Sequence, residues 1–183
     1  MSKRALGVIV GLAGIAALLA GLQSVRWVVG TDFGIETHVG LRAMELCQDV
    51  QAESGGPGEE ACSRVSHADI AKGPSKLPGF ETFSLVSRMT FVVGLAAAGL
   101  VLLVILLALL GRHPSFGVAP STLAIVASVG SLVLVSLTLA IHPWKEIGWG
   151  TGYAIYLAGG GGAACLFASI VLGQLRPPVQ DTW

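Results

Sequence analysis

The chain has 183 residues, 53% of them hydrophobic and only 12% charged, with a formal net charge of zero and a mean hydropathy of +0.75. Soluble domains carry about 25% charged residues, so half the usual charge is missing, and no basic surplus exists for binding nucleic acid. The same balance disfavours a soluble enzyme and a disordered chain. The shortage is local: Ala5–Leu22, Met89–Gly111, Val118–Ile141 and Trp149–Leu172 hold 18, 23, 24 and 24 residues without one Asp, Glu, Lys or Arg. All 22 charges fall in the other 94 residues, an ordinary soluble density. About 20 helical residues cross a hydrocarbon core about 30 Å thick. The pattern predicts an all-α membrane protein, a single four-span domain over residues 1–183 with one sizeable water-exposed segment, residues 23–88.

Taken in chain order, Ala5–Leu22 is the shortest span and follows Lys3 and Arg4, as a signal peptide would. Leu18 and Ala20 do not form a small-x-small processing site, and apolar Val25, Trp27, Val28 and Val29 follow closely. An uncleaved first span is therefore expected. Lys3, Arg4, Arg112 and Arg176 flank span ends on one side, against Arg26, Arg88 and Lys145 on the other. The basic bias puts both termini in the cytoplasm and residues 23–88 outside the cell membrane, extracellular or periplasmic. Trp27, Trp144 and Trp149 fall on that outer side, where an aromatic belt is expected.

The outer segment, Gln23–Arg88, has nine acidic and six basic residues among 66. From Phe33 to Leu41 apolar and polar residues alternate strictly, with Phe33, Ile35, Thr37, Val39 and Leu41 on one side and Gly34, Glu36, His38, Gly40 and Arg42 on the other. That is the period of a half-buried strand. Gly55, Gly56, Pro57 and Gly58 mark a turn. Cys47 and Cys62 bracket this turn, and on an oxidising side they read as a disulfide closing a hairpin. A zinc site from Cys47, Cys62, His67 and His38 is the alternative, although its spacing fits no common ligand pattern. Glu81–Arg88 reads as a helical lead-in to the second span.

The connections Arg112–Gly117 and His142–Gly148 are short and predict antiparallel neighbours, hence a compact left-handed four-helix bundle. The four spans contain no ionisable Asp, Glu, Lys, Arg or His, which argues against intramembrane catalysis or ion transport through one bundle. They are rich instead in small residues. In span four Gly148, Gly152, Gly160, Ala164 and Ala168 recur every fourth residue, broken only by Tyr156, as a helix-packing or oligomer face. Ser121, Thr122, Ser128, Ser131, Ser136 and Thr138 of span three read as interhelical or backbone hydrogen-bonding groups. Cys165 reads as a packed apolar residue. No CxxC, GxSxG, HExxH or P-loop occurs, so no catalytic residue, cofactor, metal or small-molecule substrate is expected.

Four spans, cytoplasmic termini, a large first outer segment with a cysteine pair and a short second one resemble the claudin superfamily. That group also includes the peripheral myelin proteins and the stargazin-like auxiliary subunits. Trp27 matches the first Trp of its signature, Gly40 and Leu41 match its Gly-Leu pair, Cys47 and Cys62 match its cysteines, and Arg88 matches the arginine before span two. Glu146-Ile147-Gly148 followed by Tyr153-Ala154-Ile155-Tyr156 is similar to the start of span four. The sequence departs from the signature at Arg42, which stands in place of its second Trp, and Cys47 follows Gly40 by seven residues rather than five. The resemblance implies a strand cap, closed by the disulfide, above a four-helix bundle. It also implies a structural or adhesion protein that self-associates, or an auxiliary subunit of a larger membrane protein. Asp49, Glu53, Glu59 and Glu60 would favour cations if the cap lined a pore between cells.

Overall fold

The computed structural model describes residues 2–32, 35–50, 59–70, 72, 79–111, 119–143 and 148–175. The elements in chain order are α1 (Lys3–Gln23), β1 (Val28–Asp32), β2 (Ile35–Val39), β3 (Ala43–Val50), β4 (Glu59–Ser66), α2 (His67–Ile70), α3 (Phe80–Leu109), α4 (Ala119–Ile141), β5 (Gly150–Thr151) and α5 (Tyr153–Gly173). Among the described residues α1, α3, α4 and α5 are long and apolar enough to cross a membrane. The lead-in expected at Glu81–Arg88 is helical and continuous with the second long apolar helix, giving a helix of 30 residues.

Two boundaries differ from expectation. The fourth helix begins at Tyr153 rather than Trp149, because Gly150 and Thr151 pair with Val29 and Val28 as a sheet edge. The alternating strand ends at Val39 rather than Leu41. There Gly40 donates its N–H to the Ala43 carbonyl at 2.9 Å and the chain turns back into β3. Several positions named above lie outside the described residues: Phe33, Gly34, Glu53, the turn at 55–58, Arg112 to Val118, Trp144 to Ile147, and Arg176 onward.

The chain divides into two compact units, one of Met1–Leu19, Val92–Val133 and Ala158–Trp183, the other of Ala20–Phe91 and Leu134–Leu157. In the first, the helices pack as a closed ring. Gly11 of α1 faces Ile105 of α3 and Ala168 of α5, Gly130 of α4 faces Val93 of α3, and Gly162 of α5 faces Leu132 of α4. The interior is largely apolar, but the outer surface is apolar too, unlike that of a water-soluble bundle. Ser121, Ser128, Ser131 and Ser169 are buried, while Ile9, Leu106, Val126 and Phe167, one from each helix, are exposed. At the end of this unit Arg4 donates to the Leu109 carbonyl at 2.9 Å and to that of Ala108. A cation thus satisfies the last carbonyls of α3 and the negative end of its dipole.

The closest approach in this ring is between α1 and α5. A Cβ on Gly161 would overlap the backbone of Leu18, and one on Gly14 would lie 2.8 Å from the Ala164 Cβ. The two backbones touch because both surfaces are nearly bare, the packing that drives association where lipid supplies no hydrophobic force.

In the second unit the strands form one antiparallel sheet in the order β4-β3-β2-β1-β5. Opposite residues in a ladder share a face, and alternate residues change face. Val28, Val39, Met44 and Val65 are successive partners on one face. Val28 and Val39 of that face form a buried core with Phe80 and Phe83 of α3, with Met44, Ile70 and Trp149 packed against it. Helical polar groups in this unit are also paired. The Thr90 and Thr138 hydroxyls are hydrogen-bonded at 2.9 Å, and each lies 2.8 Å from the carbonyl four residues back, so one donates across to its partner and the other to its own helix. This is the role expected for Thr138.

Candidate functional site

The features that distinguish this chain from a plain helical bundle gather in the sheet. Cys47 and Cys62 are direct cross-strand partners in β3 and β4 and form a disulfide, as their placement about the turn predicts. The bond closes the hairpin whose connecting residues lie outside the described set.

Trp27 is fully buried, and its indole N–H donates to the Gly21 carbonyl at 2.7 Å. That carbonyl belongs to the last turn of α1, where helix carbonyls lack intrahelical partners. The side chain therefore fixes how the first strand leaves the first helix. Its burial corrects the expectation of an interfacial belt at this position, since a belt residue needs an exposed ring and this one has no exposed surface. The backbone on either side carries the second tie. Gly152 donates to the Trp27 carbonyl at 2.8 Å, and Ala154 donates to that of Arg26 at 3.2 Å.

This arrangement revises the reading of the small-residue stripe. Gly148, with φ of +82°, and Gly152 precede α5 and are not on its surface. At Gly152 any Cβ would overlap the Arg26 carbonyl, so this glycine serves strand-to-helix contact. Gly160 faces open space, while Ala164 and Ala168 do meet α1, at Gly14 and Gly11. The packing stripe is Gly161, Ala164, Ala168 and Leu172, displaced by one position at its start. The every-fourth-residue count drifts off a face repeating at 3.6 residues per turn. Cys165 is buried, as expected.

The other signature positions shape the β2–β3 turn. Leu41 is 1% exposed, and a Cβ on Gly40 would lie 2.8 Å from the Val25 Cα and the Ser24 carbonyl. Arg42, the departure from the signature, lays its guanidinium 5.0 Å from the Phe91 ring centroid, a cation–π contact with α3. Arg88 is exposed on α3 and acts electrostatically on His67.

The two histidines of the segment lie on opposite faces. His67 is 2% exposed and packs edge-on against Phe80 at 5.5 Å, with Phe83 at 5.9 Å. Burial, with Arg88 nearby, pushes its pKa down to about 4, so the ring is neutral near pH 7. Local pattern gave no sign of this role, which depends on Phe80 and Phe83 some way along the chain.

His38 is also 2% exposed, although strand alternation assigns it to a polar face. Glu36 accounts for that. Its Oε1 lies 2.8 Å from His38 Nε2, the Glu45 Oε2 is 3.9 Å from Nδ1, and both carboxylates share this face with the disulfide. The hydrogen bond to His38, then its charge, lowers the Glu36 pKa. His38, Glu45 and Cys47 bring three donor atoms within 4.8 Å. The Cys47 sulfur is already bonded to Cys62, and His67 stands on the far side of the sheet. The four residues weighed as a zinc set are therefore not brought together. The side chains of Asp49, Glu59 and Glu60 lie outside the described residues.

No family model matches the chain, and no curated protein matches it. The functional reading rests on the molecule itself.

Proposed function

We propose that the protein is a claudin-like integral membrane protein with four spans in a left-handed bundle, both termini cytoplasmic and the sheet outside the cell, acting by self-association through that sheet. The observation that carries the membrane part is the apolar outer surface of the helical unit, with Ser121, Ser128, Ser131 and Ser169 inward and large apolar side chains outward on all four helices. Exposed apolar area of that kind has a favourable environment in lipid and none in water.

The adhesion part draws support from a sheet of five strands whose first four come from the segment between the first two apolar helices. A disulfide pins β3 to β4, and a fifth strand arrives from between the third and fourth helices. A pinned sheet is a rigid surface, and rigid surfaces lose little entropy on binding. An auxiliary subunit is the second reading. It draws on Gly160, whose outward position leaves a bare patch on α5 for a partner helix.

Lys72 is 79% exposed and gives an impermeant amine crosslinker a handle on the outer segment. Crosslinking in native membrane followed by affinity purification is expected to give homo-oligomers through Lys72. Stoichiometric recovery of one larger membrane protein without homo-oligomers favours the auxiliary subunit. Recovery of monomer alone contradicts both.

A further inference from the structure

Where α1 ends beneath the β2–β3 turn, the second unit encloses a cleft of about 300 Å³, at the small end of ligand sites and of a size for a polar headgroup. Among the described residues its charged lining residues are Arg42 and Arg64, and none that lines it is acidic. Among the described residues neither guanidinium has a carboxylate within salt-bridge distance. Glu45 stands opposite Arg64 in the ladder, yet its carboxylate turns to His38 at 3.9 Å. Arg42 places its guanidinium carbon 5.0 Å from the Phe91 ring centroid. A cation–π contact of this kind consumes no carboxylate partner, and guanidinium N–H groups bind phosphate in pairs. Leu22 and Phe91 also line it, close to the ends of the charge-free runs Ala5–Leu22 and Met89–Gly111.

We propose that this cleft binds a phosphate-ester anion through Arg42 and Arg64. Two sources share that chemistry: the headgroup of an anionic phospholipid, which follows from the membrane reading given above, and a soluble phosphate ester. Two unpaired positive charges with Leu22 and Phe91 in the same lining suit a headgroup whose acyl chains continue alongside the helices.

Native mass spectrometry of the full chain in detergent, titrated separately with phosphatidylglycerol, phosphatidylcholine and glycerol 3-phosphate, tests this. Phosphatidylglycerol is expected to bind in preference to phosphatidylcholine. The preference should fall about tenfold in Arg64→Glu and again in Arg42→Gln, and stay unchanged in Arg26→Gln, an exposed arginine outside the cleft. Arg64 is an exposed strand residue, so that variant keeps the fold, which an intact Cys47–Cys62 bond in peptide mapping verifies. Glycerol 3-phosphate binding with the same arginine dependence, and no lipid preference, assigns the soluble source. Equal retention of both lipids with no binding of glycerol 3-phosphate, or an equal loss in Arg26→Gln, overturns the proposal. Carbonate extraction of native membranes reads the membrane reading separately, since the detergent assay does not require the chain to span a bilayer.

Discussion

His67 carries the clearest pH dependence in the molecule. Among the described residues neither ring nitrogen has a hydrogen-bond partner, and the ring is packed by Phe80 and Phe83. Its pKa in the folded chain, about 4, lies below the ordinary 6.5. Between those values the unfolded chain binds a proton that the folded chain does not. Stability is thus full above pH 6.5 and falls by about 3 kcal/mol as the pH drops toward 4. Thermal unfolding of the full chain in detergent should show Tm declining from about pH 6.5 downward, and His67→Phe should abolish that part of the decline. Glu36 works lower on the scale. Its lowered pKa gives stability that is present above its ordinary 4.5 and is lost as the pH falls through the folded value. The decline that remains in His67→Phe should therefore begin near pH 4.5. In the sequence His67 was legible only as one His near two Cys. Its partners Phe80 and Phe83 reach it through the path of the chain, which no local period encodes.

At the scale of elements, the α1–α5 contact and the β3–β4 hairpin yield opposite tests, one of space and one of covalent closure. Gly161→Val must push a side chain into the Leu18 backbone, whereas Gly160→Val enters open space. The first is expected to cost several kcal/mol or prevent folding, the second less than about 1 kcal/mol, read as Tm or as detergent-resistant folded fraction. A reversal would mean that the stripe runs through Gly160 after all. Replacing Cys47 and Cys62 by Ser removes a crosslink closing a separation of 15 residues and should destabilise the sheet by about 3 kcal/mol. The hairpin was readable because two cysteines bracketing Gly and Pro state both the turn and its closure. Four helices were readable because the absence of charge is a long-range signal that survives any local ambiguity. The start of α5 was not, since Gly150 and Thr151 look like the apolar run that follows them. Only pairing with Val28 and Val29, far away in the chain, draws them into the sheet.

For the whole molecule the consequences lie in sidedness. If α1, α3, α4 and α5 each cross the bilayer, everything between α1 and α3 lies on one side and the chain before α1 on the other. Arg4 joins the start of α1 to the last carbonyls of α3. Four long apolar helices were written in the distribution of 22 charges, but sidedness rests on a modest excess of basic residues, and Arg112 and Arg176 in that count lie outside the described residues. Labelling of single added cysteines with a membrane-impermeant maleimide on intact cells decides it, with Cys47 and Cys62 paired and Cys165 buried. The positions are Ala68→Cys, exposed after β4, and Ser2→Cys, exposed before α1. The expected result is labelling of the Ala68 variant without permeabilisation and of the Ser2 variant only after it. Labelling of both from the same side would contradict the four-span arrangement.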